Sequence, residues 1–234
     1  MIVQQYNTYK EAYRKKAEIT VFLTLLMTIL CTLLMTVIYA VRVQAIKIQS
    51  EALLDLAIKS AFSEYNKTLY EKYDLLFVDT SYHGANGGDA DFCNHVEAYI
   101  NANLSSETNS NLYKVSVKNI NVKSSVYADE NGYECLLRQI LEYEKASGNY
   151  DDDSELVEYY AMEKFDESFI EMFDKCSSLD DKIHLIAEEI EKNMREDYSL
   201  DFSFDNLLMS ASVEAYFVSD YGCGSKAISE YSII

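Results

Sequence analysis

The longest uninterrupted apolar run in the chain lies between Ile19 and Val41. It holds no charged residue, no glycine and no proline, and only five threonines break its apolar character. As a helix rising about 1.5 Å per residue it would be about 34 Å long, enough to cross a hydrocarbon layer of about 30 Å. A secretory signal core is usually only about 7–15 residues long and ends in a small-residue cleavage site. This run exceeds that length and passes into Arg42 with no A-x-A site, so it predicts a retained anchor. Beyond Arg42, apolar residues return at helical spacing, at Ile46, Leu54, Ile58, Ala61, Phe62, Tyr65, Leu69, Tyr73 and Leu76. With no breaker before Gly84, the pattern predicts one helix from about Ile19 to Leu76, roughly 85 Å long.

The rest of the chain alternates between helical and strand periods. Asp79–Asp89 holds three of the seven glycines and reads as a loop, followed by a short helix to about Leu104 capped at Asp89 or Asp91. Leu104–Asn111 is a polar connector. Tyr113–Tyr127 alternates Val115, Val117, Ile120, Val122 and Val126 with polar residues, a strand pattern whose register changes near Asn119 as a bulge would require. Helices are expected over Tyr133–Ala146, Ser154–Lys175 and Leu179–Arg195, with a loop at Ser147–Asp153. Strands are expected at Ser210–Ser219 and Ala227–Ile234, around a turn at Tyr221–Ser225. The predicted class is α+β: a long N-terminal transmembrane helix continuing into an external domain of a small antiparallel sheet and amphipathic helices. The expected organisation is a short basic cytoplasmic tail (1–18), a transmembrane helix (19–41), a helical stalk (42–78) and an acidic extracytoplasmic domain (79–234).

Charge sharpens this picture. The 234 residues carry a formal net charge of −19, but residues 1–41 are net +2 and the remainder −21. Arg14, Lys15 and Lys16 precede the apolar run, which favours a cytoplasmic N-terminus and places the acidic bulk across the membrane. So acidic a chain is a poor match for nucleic acid, whose affinity comes from Lys and Arg neutralising phosphates. Proline and tryptophan are absent, so long helices are favoured over a loop-rich sandwich.

Within the apolar run, Thr20, Thr24, Thr28, Thr32 and Thr36 recur at every fourth residue. Residues four apart form a ridge on a helix, and small hydroxylated ridges let helices approach closely in lipid. The competing reading is that each hydroxyl bonds back to its own helix. Glu18, at the mouth of the run, sits at head-group depth or meets a positive group on a neighbouring subunit. These six residues are the candidate assembly interface.

Catalytic and metal signatures are missing. His83, His95 and His184 fall in different elements without ligand-spaced partners. There is no H-E-x-x-H, G-x-S-x-G or phosphate-loop pattern, and GCGSK at Gly222–Lys226 lacks the strand–loop–helix setting of a phosphate loop. Asn149, Asp151, Asp153 and Glu155 alternate like calcium ligands, but Ser154 and Tyr160 stand where an EF-hand needs glycine and glutamate. Carboxylate pairs such as Glu188–Glu189 are too evenly scattered to nominate an acid–base dyad. Cys31 lies in the apolar run, whereas Cys93, Cys135, Cys176 and Cys223 are even in number and permit two disulfides in three connectivities. The alternative is free thiols, with Cys135 packed as a small hydrophobe beside Leu136 and Leu137. Asn66 and Asn103 head formal glycosylation sequons. Tyrosine, with 20 copies, is split between core and interface roles.

Several segments together carry a family resemblance. Lys16–Leu23 (KAEITVFL), Tyr39–Gln44 (YAVRVQ), Ala61–Tyr73 (AFSEYNKTLYEKY), Leu75–Asp79 (LLFVD), Ala128–Lys145 (ADENGYECLLRQILEYEK) and the C-terminal AYFVSDYGCGS resemble divergent TadE/TadG-like pseudopilins, components of tight-adherence (Flp) pili. The resemblance implies a membrane-inserted, externally displayed minor subunit of a pilus or related secretion machine. Prepilin-type processing cuts after a small residue with Glu at the fifth mature position. Counting back from Glu18 puts that cut after Tyr13, which is not small, so no such processing is expected.

The expected function is therefore non-enzymatic: helix–helix assembly with other pilus or secretion subunits in the membrane, and display of the acidic domain outside. No cofactor, metal, nucleic acid or small-molecule substrate is expected. The alternative is a membrane-tethered extracytoplasmic sensor or ligand-binding domain.

Overall fold

A computed structural model of the chain describes residues 2–82, 87–105, 114–147, 152–198 and 202–233. The chain divides into two compact units, Met1–Ile46 and Lys47–Ile234. The first unit is helix throughout its described length. Helix α1 runs unbroken over Ile2–Phe62, so its start lies well before Ile19 and its last turns belong to the second unit.

The expected continuation of α1 to Leu76 does not occur, although no glycine or proline intervenes. Serine hydroxyls draw the final carbonyls inward: Ser60 Oγ donates to Leu56 O at 2.8 Å and Ser63 Oγ to Ser60 O at 2.6 Å. Three residues on, Asn66 leaves the helical region (φ −67°, ψ 101°) and its side chain accepts from Leu69 N at 3.0 Å. That is the N-cap of a new helix, α2 (Lys67–Tyr73), which buries Leu69 and Tyr73. The Asn66 N–H meanwhile donates to Phe77 O at 2.8 Å, and Tyr65 bridges to Val78. Breaking the helix lets one amphipathic stretch cover two surfaces of the domain. Asp74, in the left-handed region (φ 55°, ψ 29°), ends α2 and leads into the short strand β1 (Val78–Asp79).

Helix α3 (Asp89–Ser105) follows, with Asp89 and Asp91 in its first turn, where acids suit the positive end of the helix. Strand β2 (Val115–Tyr127) carries the expected irregularity between Val117 and Asn119, and two more at Val122/Ser124 and Val126/Tyr127. Helix α4 (Glu130–Ser147) opens on three left-handed residues, Asn131, Gly132 and Tyr133, so its regular part starts after Tyr133. The helix expected over Ser154–Lys175 is two helices, α5 (Asp153–Lys164) and α6 (Glu167–Phe173). The break has the same cause as the first one: Asp166 adopts an extended conformation and caps α6, accepting from Phe169 N at 2.9 Å. Phe165 then stacks on Phe169 and on Tyr73. Helix α7 covers Leu179–Tyr198.

The sheet is antiparallel throughout. Strand β3 (Leu207–Ser219) is central, with β2 along one edge and β1 and β4 (Gly224–Ser232) in line along the other. The β3–β4 turn uses Gly222 at φ +75°, a conformation that glycine adopts without a Cβ penalty.

Two groups of side chains hold the second unit together. One is an aromatic-rich cluster of α2, α4, α5, α6, α7 and the start of β3, including Phe77, Tyr160, Phe169, Phe173, Ile186 and Phe204. The other is built from the last turns of α1 (Leu54, Ala57, Ile58, Phe62), the inner face of α3 (Phe92, Val96, Ile100) and alternate residues of β3 (Val213, Ala215, Phe217), all buried. The Phe62 ring meets Phe92 at 5.4 Å and Tyr231 of β4 at 5.0 Å. The opposite face of the sheet is wet: Glu214 is flanked by Lys226 at 2.7 Å and Lys123 at 3.2 Å.

Candidate assembly interface

Helix α1 is apolar all round between residues 19 and 41, and every side chain there is exposed. Among the described residues it is the one helix long and apolar enough to cross a membrane. On such a helix, affinity between neighbours comes from shape and from hydrogen bonds, because lipid is as apolar as leucine.

The threonine ridge supplies shape. Thr20, Thr24, Thr28, Thr32 and Thr36 are all exposed. The hydroxyls of the last four donate to the carbonyls three residues back, Val21, Leu25, Ile29 and Leu33, at 2.8–2.9 Å. Their protons are thus committed within the helix, and what they offer a neighbour is a low surface of Cβ and methyl groups with oxygen lone pairs as acceptors. The competing reading of the threonines holds for their donors and leaves the ridge itself in place.

The ridge is also not a straight stripe. Each step of four residues advances about 40° beyond a full turn, so five threonines wrap about 160° around the axis. A single helix crossing at about −50° along the four-residue ridges touches only part of that arc. Thr20–Thr24 and Thr32–Thr36 therefore face different directions. Glu18 is exposed at the same end as Thr20.

The other residues singled out by the sequence are spread over separate elements. His83, Asn149 and Asp151 lie outside the described residues. His184 presents an edge to the Tyr133 ring at 4.9 Å, as expected of a locally packed histidine. Asp153 and Glu155 lie in the first turn of α5, which Asp152 caps by accepting from Ser154 N at 2.9 Å. Among the described residues no group of three His, Cys, Asp or Glu side chains could hold a metal ion. All five cysteines are free thiols, with Cys135 and Cys223 buried, so neither of the two permitted disulfides is present. Burial pushes the Cys135 and Cys93 thiols above their ordinary range. Both sequon asparagines use their side chains locally, Asn66 as the α2 cap and Asn103 in donating to Tyr99 O at 2.9 Å.

One polar cluster was not evident from spacing. Glu64, just beyond α1, accepts from the Tyr99 hydroxyl and stands 3.4 Å from His95 Nδ1, and the His95 ring stacks on Tyr82. These residues come from three segments far apart in sequence, so no local pattern signals the cluster. It ties α3 to the end of α1. The hydrogen bond to Glu64, helped by burial, pushes the Tyr99 phenol up to about 12.

Comparison with protein-family models, with curated proteins and with solved structures returned no match for this chain.

Proposed function

We propose that the protein is a non-enzymatic, membrane-anchored, minor pseudopilin-like subunit of a tight-adherence pilus or related secretion apparatus. The observation that carries this reading is the apolar helix spanning residues 19–41, whose large side chains stay exposed, from Leu26 at 44% to Met35 at 70%. Removing such side chains from water is worth about 1.5–3 kcal/mol each. Lipid and neighbouring helices provide that environment together. The basic residues before the span favour an N-terminus in the cytoplasm, with the acidic domain displayed on the far side. The threonine ridge, drifting around the helix, suits insertion between two partner helices. The family resemblance names the class of machine.

The test is cross-linking in native membranes between the tagged protein and its neighbours. Replacing Thr24 and Thr32 by Leu raises the ridge and should reduce partner cross-links several-fold, while the protein stays in the membrane fraction. Unchanged cross-links in that variant and in a Thr28→Leu, Thr36→Leu pair would remove the ridge from the mechanism.

A further inference from the structure

The two outer edges of the sheet are built differently. The β2 edge is interrupted three times along its length and carries Lys118 and Lys123. Bulges and lysines are the usual devices that stop an edge strand pairing with another chain. The β4 edge has no bulge: its register against β3 runs continuously from Ser210↔Ser232 to Val218↔Gly224.

The direction of its backbone groups follows from the ends of the β3–β4 hairpin. Cys223 O accepts from Ser219 N at 2.9 Å and Ile233 N donates to Met209 O at 3.1 Å. Odd-numbered residues of β4 therefore turn their N–H and C=O groups towards β3, and even-numbered ones turn them outward. The outward row includes Lys226, Ile228 and Glu230, all exposed, with Ile228 at 48%. Lys226 and Glu230 stand equally far on either side of Ile228.

We propose that β4 is the docking edge for a second copy of this chain, the two β4 strands pairing antiparallel across a two-fold axis at Ile228. In that register Ile228 meets its own counterpart, and Lys226 of each copy faces Glu230 of the other. Of the two-fold registers that pair even-numbered residues, this one sets opposite charges directly across the seam at both positions. Opposite charges directly across a strand pair are favourable and like charges unfavourable. A lone lysine guards an edge against any strand; a glutamate four residues on turns it into a code that only a matching strand satisfies. Glu214, already held by Lys226 within the chain, lies beside the seam opposite Ile228 and extends the charged row. The contact is isologous, so it closes as a dimer and does not propagate. It does not depend on the helix contacts proposed above.

The test uses the full chain in detergent micelles, with Cys31, Cys93 and Cys176 replaced by Ser and the buried Cys135 and Cys223 kept. Directly opposed residues in a hydrogen-bonded antiparallel pair have Cα atoms about 5.5 Å apart, within disulfide range. Ile228→Cys should thus form an intermolecular disulfide under mild oxidation, and Ser116→Cys on the β2 edge should not. In the Ile228→Cys background, Lys226→Glu alone and Glu230→Lys alone each place like charges across the seam twice. Each should dimerise poorly, and mixing the two should restore opposite charges at both positions and give about tenfold more mixed dimer than either alone. Contacts between membrane helices, or damage within one chain, would not make the mixture better than its components. Failure of Ile228→Cys to cross-link while its thiol still reacts with a maleimide overturns the proposal, as does a mixture no better than its parts.

Discussion

Two stretches of one helix meet their surroundings in opposite ways. In α1, residues 19–41 expose every side chain. Residues 47–62 bury one stripe, Ser50, Leu53, Leu54, Ala57, Ile58, Ala61 and Phe62, and leave the opposite side exposed, including Ile48 and Leu56. Backbone and hydrogen bonding are the same, so the difference lies in how side chains are distributed around the axis. A one-sided stripe needs only one protein face, and α3 and the sheet provide it. An all-round apolar surface needs a surrounding medium. A threonine placed in each stretch would meet different surroundings: in the first it is exposed, in the second it would interrupt a packed core.

That contrast makes the two stretches separable by mutation. The largest effect is expected in the domain core. Phe204 is fully buried and packs edge-on against Tyr133 and Phe202. Phe204→Ala should cost about 3–5 kcal/mol of domain stability by chemical denaturation, with membrane association unchanged. Phe22→Ala, at a site 66% exposed, should leave domain stability where it was. If the two variants destabilise the domain alike, the apolar span is part of the domain's core and the contrast fails.

A smaller effect marks where α1 stops. Asn66→Ala removes the side chain that accepts from Leu69 N and should cost about 1 kcal/mol. Asn66→Asp, which keeps an acceptor, should retain most of that. Equal losses in both would mean that the cap does not set the break.

The smallest effect is a pH dependence at the junction of α1 and α3. Tyr99 donates to Glu64, and that bond raises its folded-state titration to about 12, against about 10 in an unfolded chain. The folded state therefore holds the proton more tightly. The contribution is intact below about pH 10 and is lost as the pH rises through about 12. With this much solvent nearby it amounts to a few tenths of a kcal/mol. Comparing wild type with Tyr99→Phe across pH 9–12 should show the stability gap closing at the alkaline end. A gap that widens there would reverse the sign.

Much of this was legible in the sequence because periodicity reports burial. The apolar run, the β2 pattern with its shift near Asn119, the β3–β4 hairpin and α7 all announce themselves in local spacing. The two helix breaks did not, since neither involves glycine or proline. Asn66 and Asp166 are polar residues on a helical pattern, and their role as caps is set by what the next helix packs against. The strand β1 was missed because two residues pairing with Leu207 and Leu208 leave no alternation to read. The threonine ridge was visible as spacing; the direction of its hydroxyls was not, because the carbonyl three residues back competes with any partner helix. The Glu64–Tyr99–His95 cluster depends on tertiary contacts alone.

The central claim is that residues 19–41 lie in a bilayer and the domain lies beyond it, and thiol labelling tests both parts at once. Cys31 sits in the apolar run, while Cys176 is partly exposed in the domain. On intact cells, a membrane-impermeant maleimide should label Cys176 and spare Cys31, with Cys31 reacting only after detergent solubilisation and the protein resisting extraction from membranes at alkaline pH. Rapid labelling of Cys31 in intact membranes, or recovery of the protein in the alkaline-soluble fraction, would contradict the account.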